Sequence, residues 1–206
     1  MSDRIGSETW DTTYASALDM LRGKPMGRLL EYDPRANQIR VLVRNLRFAS
    51  GVGIDPDEKF VLIAESFALQ LHRYHLRGPR QGTLESIVES NDMTGYPDGV
   101  DCGGGRNRCY VALPSSVGLL AKIINRVPHP IDKVLRNFVM ILPKILLPKA
   151  SAYGGVIEVD PTTKEIQYFQ DPTAKDIGML SGVTVWDNSL YLGSFKNNYI
   201  GVYDLS

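Results

Sequence analysis

The sequence predicts an all-β protein of the propeller type, and three observations predict it. A long phrase occurs twice: Gly27-Arg-Leu-Leu-Glu-Tyr-Asp33-Pro34 returns as Gly154-Gly-Val-Ile-Glu-Val-Asp160-Pro161. Each copy is followed by a polar turn and a second apolar run, Ile39 to Leu42 and Ile166 to Phe169. A short phrase occurs three times, as Ser50-Gly51-Val52, Asp98-Gly99-Val100 and Ser181-Gly182-Val183. Its first two copies lie about 48 residues apart, the spacing of four-stranded propeller blades, and one inserted segment delays the third.

The elements follow in chain order. Residues 8 to 46 read as the end of one blade, with Asp33-Pro34-Arg35-Ala36-Asn37 as its turn, because Pro presets φ while Asp and Asn close local hydrogen bonds to the backbone. Residues 47 to about 90 read as a full blade. There Phe60 to Ala64 is continuously apolar, as expected of a strand buried on both faces, and Asp55-Pro56-Asp57-Glu58 supplies the turn before it. Leu69 to Leu76 mixes polar and apolar residues in the manner of an exposed outer strand, which makes surface residues of His72 and His75. Residues about 91 to 170 form a blade with an insertion, its first hairpin ending in the apolar run Cys109 to Leu113. Residues 171 to 206 form most of a last blade, in which Asp187-Asn188 turns the chain into Leu190 to Gly193. The tally falls short of a closed ring, so strand edges at both ends are expected to need a partner or further blades.

The insertion, residues 114 to 150, departs from the strand pattern, since its apolar residues fall at helical spacing. Ser115 or Ser116 suits a helix N-cap, Pro128 and Pro130 separate two helices, and Pro143 ends the second, which begins at Ile131. The polar positions are mostly basic: Lys122, Arg126, Lys133, Arg136, Lys144 and Lys149. Two readings stand side by side. One is a cover packed across a mouth of the propeller; the other is a surface that faces a membrane or closes over a substrate, as basic amphipathic helices do.

Charge excludes some partners. The 23 basic and 23 acidic residues cancel, so no long-range field favours nucleic acid. No apolar run is long enough to span a bilayer, and the first residues lack the layout of a signal peptide, which leaves the compartment open. Cys102 and Cys109 flank a Gly-rich hairpin tip. They could pair, but with nothing directing the chain to an oxidising compartment two reduced thiols are expected. His129 sits in the Pro-rich break, and no histidine forms a metal-spaced pair or a nucleophile–base arrangement.

Several stretches resemble a known family. Between Glu8 and Gly82 these are Gly27 to Pro34, Phe48-Ala-Ser-Gly-Val52, Phe60-Val-Leu-Ile-Ala-Glu65 and Tyr74-His-Leu-Arg-Gly-Pro79, and together they look like the conserved region of strictosidine synthase and its relatives. Tyr96-Pro-Asp-Gly-Val100, the basic insertion and Leu190-Tyr-Leu-Gly-Ser-Phe195 resemble the adipocyte plasma membrane-associated protein branch of that family. The resemblance implies a six-bladed propeller related to paraoxonases and gluconolactonases, with the other blades preceding Met1. It also implies membership of a group usually found at membranes or in the secretory pathway.

The same resemblance implies which residues to weigh. The alkaloid enzyme's acid–base glutamate corresponds here to Ser181, and a hydroxyl does not exchange protons near neutral pH as a carboxylate does, so strictosidine formation is not expected. Paraoxonase-like relatives hold Ca²⁺ with carboxylate and amide oxygens. Where they carry Asn-Gly-Val and Pro-Asp-Asn, this chain has Ser50-Gly-Val and Pro97-Asp98-Gly99, which leaves only Asp98 and Glu65 as oxygen ligands and predicts no metal or other cofactor.

Propeller geometry points equivalent repeat positions into one channel. Ser50, Asp98 and Ser181 are therefore expected around its mouth, with Tyr96 beside them: Ser181 and Asp98 as catalytic candidates, Ser50, Glu65 and Tyr96 as ligand-binding ones. The plainer reading is that small residues there let the strands converge, that Asp98 is a turn residue and that Glu65 pairs with a nearby Arg. Two functions remain: a hydrolase of an ester or lactone, arylesterase-like, or a catalytically silent propeller that binds a small molecule, a membrane or a partner.

Overall fold

The repeated phrases build repeated hairpins. In the computed structural model, which describes residues 24–104, 107–119, 122–123, 127, 131–140 and 152–206, Asp33 Oδ1 accepts the Arg35 and Ala36 amides at 2.8 and 3.2 Å. Asp160 Oδ1 accepts the Thr162 and Thr163 amides at 2.7 and 3.1 Å in the same way. Asn37 and Lys164, each four residues after its Asp, take positive φ of 50° and 65° to complete the turn. One local device thus joins β1 (Gly27–Asp33) to β2 (Gln38–Leu46), and the other joins β9 (Ala152–Val159) to β10 (Ile166–Asp171).

Four antiparallel sheets result. After the β1-β2 hairpin comes a four-stranded sheet in simple meander order, β3 (Ala49–Ile54), β4 (Phe60–Glu65), β5 (Gln70–His75) and β6 (Leu84–Val88). The next repeats it with β7 (Val100–Asp101), β8 (Cys109–Ser115), β9 and β10. The last has three strands, β11 (Leu180–Trp186), β12 (Ser189–Ser194) and β13 (Gly201–Asp204). Asp187 and Asn188, at φ 44° and 63°, form the two-residue turn between β11 and β12, the primed geometry that matches strand twist. These sheets are the blades of a β-propeller.

Blades stack through both faces of their middle strands. Leu62 and Ala64 of β4 pack with Val111, Leu113 and Ile157 of the next blade. Val61 and Ile63, alternating with them, pack against Leu29 and Leu46 of the first hairpin. Tyr110, Ala112 and Val156 turn the other way, onto Leu180, Val183, Val185 and Leu190. Continuous apolar runs are what a strand sandwiched between two blades requires.

Three sequence expectations need correction. β5 is not an exposed outer strand, because β6 lies outside it, and His72, Arg73 and His75 are buried. Their polarity is met mostly within the blade, where His72 Nε2 meets Glu65 Oε2 at 2.6 Å and Arg73 and His75 reach Glu85, while Arg73 also donates to the Pro161 carbonyl of the next blade and keeps its Nε without a hydrogen-bond partner. Both histidines are therefore interior, not surface, residues. Cys102 and Cys109 form a disulfide, buried beneath the hairpin tip. Of the insertion, the described part includes one helix, α1 (Ile131–Met140), while Arg126, His129, Lys144 and Lys149 fall outside the described residues.

Candidate functional site at the channel mouth

The inner strands of three successive blades meet at the short repeated phrase. Gly99 donates its amide to the Ser181 carbonyl at 3.1 Å, and a Cβ on Gly99 would come within 2.5 Å of that oxygen. One blade earlier the same relation holds: a Cβ on Gly51 would overlap the Asp98 carbonyl oxygen. Glycine is used here because backbone must approach backbone. At Gly182, the third member of the series, a Cβ would meet nothing within 4 Å.

This convergence gathers a polar cluster. Ser66 donates its hydroxyl proton to the Pro97 carbonyl at 2.5 Å, and the Ser50 hydroxyl, 2.6 Å from Ser66 Oγ and 3.1 Å from the same carbonyl, has one proton to share among these neighbours and Asp98. Asp98 follows directly, its amide donating to the Ala112 carbonyl at 2.9 Å. Burial pushes its carboxyl above the ordinary aspartate range, and a hydrogen bond from Ser50 only partly opposes that. Burial likewise raises the Tyr96 phenol, whose amide is tied to the Ser115 carbonyl at 3.0 Å. Ser50, Asp98 and the Ser181 backbone therefore come together, while the Tyr96 ring packs against the apolar core between blades.

Glu65 does not join them. Oε1 accepts the Arg47 amide at 2.5 Å and Oε2 faces His72, so the carboxylate is consumed in fastening the blade to the loop before it. That loop is further held by Phe48 stacked on Phe67 at 4.4 Å and by Ser66 N bonded to the Phe48 carbonyl. Ser66 is the residue that sequence reasoning missed. No repeat marks it, yet the register shift between Ala49, paired with Glu65, and Gly51 lets the Ser50 hydroxyl reach across to Ser66.

A hard cation such as Ca²⁺ needs about six to eight oxygen ligands. With Glu65 turned away, Asp98 stands without a second carboxylate from the predicted pair. Among the described residues no group of three or more His, Cys, Asp or Glu is placed to hold a metal. The donor set does not fit the ion.

What these features define is a β-propeller protein with a small hydroxyl–carboxyl cluster where the inner strands of three blades converge. Its strand layout matches solved propellers: a luciferin-regenerating enzyme at TM-score 0.53 and 12% identity, covering 82% of this chain and 44% of that one, and a calcium-binding regucalcin from Agrobacterium tumefaciens at TM-score 0.50 and 11% identity, covering 85% and 48%. At such identities the likeness shows fold alone. Residues 5–79 match the family model described as Strictosidine synthase. The adipocyte plasma membrane-associated protein of Salmo salar is 31% identical over 183 residues, 87% of this chain and 43% of that protein. Protein STRICTOSIDINE SYNTHASE-LIKE 6 of Arabidopsis thaliana is 32% identical over 190 residues, 92% and 47%. The chain belongs to the strictosidine synthase-like family. It spans about half the length of the curated relatives it matches.

Proposed function

We propose that this propeller is a hydrolase of esters or lactones, and not a strictosidine-forming enzyme, with the Asp98 carboxyl handling the proton. The observation that carries this reading is the setting of Asp98: a carboxyl at the channel mouth whose pKa burial raises, beside the Ser50 hydroxyl. A group shifted toward neutrality can both take and return a proton. As carboxylate it removes a proton from water while the water oxygen bonds to the acyl carbon. As acid it gives that proton to the departing alkoxide when the acyl–oxygen bond breaks, leaving a carboxylic acid and an alcohol, or a hydroxy acid from a lactone. Ser50 and Ser66 would orient the ester, and Ser181 would line the mouth as a neutral hydroxyl.

The test is hydrolysis of an aryl acetate and a γ-lactone by the purified chain and by Asp98→Asn. Loss of about a hundredfold or more in kcat/KM is expected. Equal rates for the two proteins would sink the assignment. A second reading, a catalytically silent binding propeller, draws support from Glu65, whose oxygens are both engaged, and from His72 and His75, which sit within blade interfaces. A small ligand that raises the melting temperature of parent and Asp98→Asn alike, with no turnover by either, would favour it.

A further inference from the structure

Helix α1 carries its apolar stripe outward. Ile131, Val134 and Phe138, at the spacing of one helix face, are 59%, 68% and 58% exposed, while Leu135 is half-buried. Leu119 and Ile123, four apart in the helical turn that precedes it, are 74% and 45% exposed. Exposed Lys122 and Lys133 are the sequence neighbours of Ile123 and Val134. Residues 114 to 150 contain six basic residues and one acidic, Asp132, in a chain whose 23 basic and 23 acidic residues cancel, so the remainder carries net negative charge. A helix of this length reaches about 15 Å, half a bilayer core, so it is suited to lie along a surface rather than cross it.

The position of the insertion matters as much as its composition. It leaves β8 at Ser115 and returns at β9, the same end of the blades at which Ser50, Ser66 and Asp98 gather. Ser115 itself accepts the Tyr96 amide. Apolar residues at the tip with cations around them complement an anionic lipid interface, where the stripe enters the acyl boundary and the lysines meet headgroups.

We propose that α1, with Leu119 and Ile123 before it, forms a docking surface for an anionic bilayer, which sets the Ser50–Asp98 end of the blades toward the lipid. The first experiment is flotation of the full chain with vesicles of phosphatidylcholine alone and of phosphatidylcholine with phosphatidylserine at about 3:1. Binding to the anionic vesicles, weakened by salt, is expected. The paired substitution Val134→Glu and Phe138→Glu should abolish it, and Lys122→Gln or Lys133→Gln should each weaken it about fivefold.

Because these side chains are exposed, the variants should melt as the parent does. The two cysteines form the disulfide and none of the described residues is a free thiol, so Phe138→Cys also offers a single labelling site. An environment-sensitive dye there should shift to the blue with anionic vesicles, whereas one at Arg35→Cys, on the first hairpin, should not. Failure of the parent to float, equal flotation of the Glu variants, or capture of an acidic protein with no vesicle binding would each overturn the proposal.

Discussion

Asp98 and Glu85 are two carboxyl groups at opposite ends of the blades, and they are held in opposite ways. Where the inner strands converge, Asp98 is half-buried with a hydroxyl for company, and its pKa is raised. At the far end Glu85 receives Arg73 at 2.8 Å, Arg80 at 2.9 Å, Lys164 at 3.1 Å and His75 at 3.3 Å, and hydrogen bonds from Arg73 and Lys164 lead in lowering its pKa to about 2. Lys164 comes from the next blade, and Arg73 also reaches that blade's Pro161 carbonyl. One end of the propeller is fastened by paired charge; at the other, Asp98 has a hydroxyl beside it and no salt-bridge partner among the described residues.

The sharpest way to break the contrast is at the glycines of the mouth. Gly51→Ala drives a methyl into the Asp98 carbonyl and should cost about 3 kcal/mol or more, read as a large fall in melting temperature. Gly182→Ala, the same repeat position with open space, should stay within about 1 kcal/mol of the parent. Equal effects would mean that the inner strands do not converge as described. Replacing Cys102 and Cys109 together by Ser opens a closed loop with a sequence separation of 7, and should cost about 2 kcal/mol in chemical denaturation.

At the charged end, Glu85→Gln should cost about 1 kcal/mol at neutral pH, a figure reduced for the solvent that reaches the group. The sign follows from the lowered pKa. Glu85 stabilises the fold fully above its ordinary value near 4.5, and that contribution fades as pH falls toward 2, so the variant's deficit should vanish in acid. Asp98→Asn should show the reverse with the smallest amplitude. A raised pKa means that ionisation opposes folding as pH rises, so the variant should melt slightly higher than the parent at neutral pH and converge with it in acid. A lower melting temperature at pH 7 would place Asp98 among the groups that hold the blade together.

The short-range features were legible in the chain. Asp33 and Asp160 close their hairpins with their own side chains, Asp187-Asn188 adopts the turn its composition demands, and the double-sided apolar strand β4 announces a blade interior. The triple phrase at Ser50, Asp98 and Ser181 also marked where three inner strands would meet, because a repeat fixes equivalent positions without any knowledge of contacts. Partner choice was not legible. Glu65 read as a channel ligand but spends both oxygens on Arg47 and His72, the histidines of β5 read as surface and are interior, and Arg73 finds its acceptor 88 residues away at Pro161. Turn formation and strand alternation depend on neighbours within a few residues, so sequence determines them. Which buried polar group satisfies which depends on how one blade lies against the next, and only the packed structure decides that.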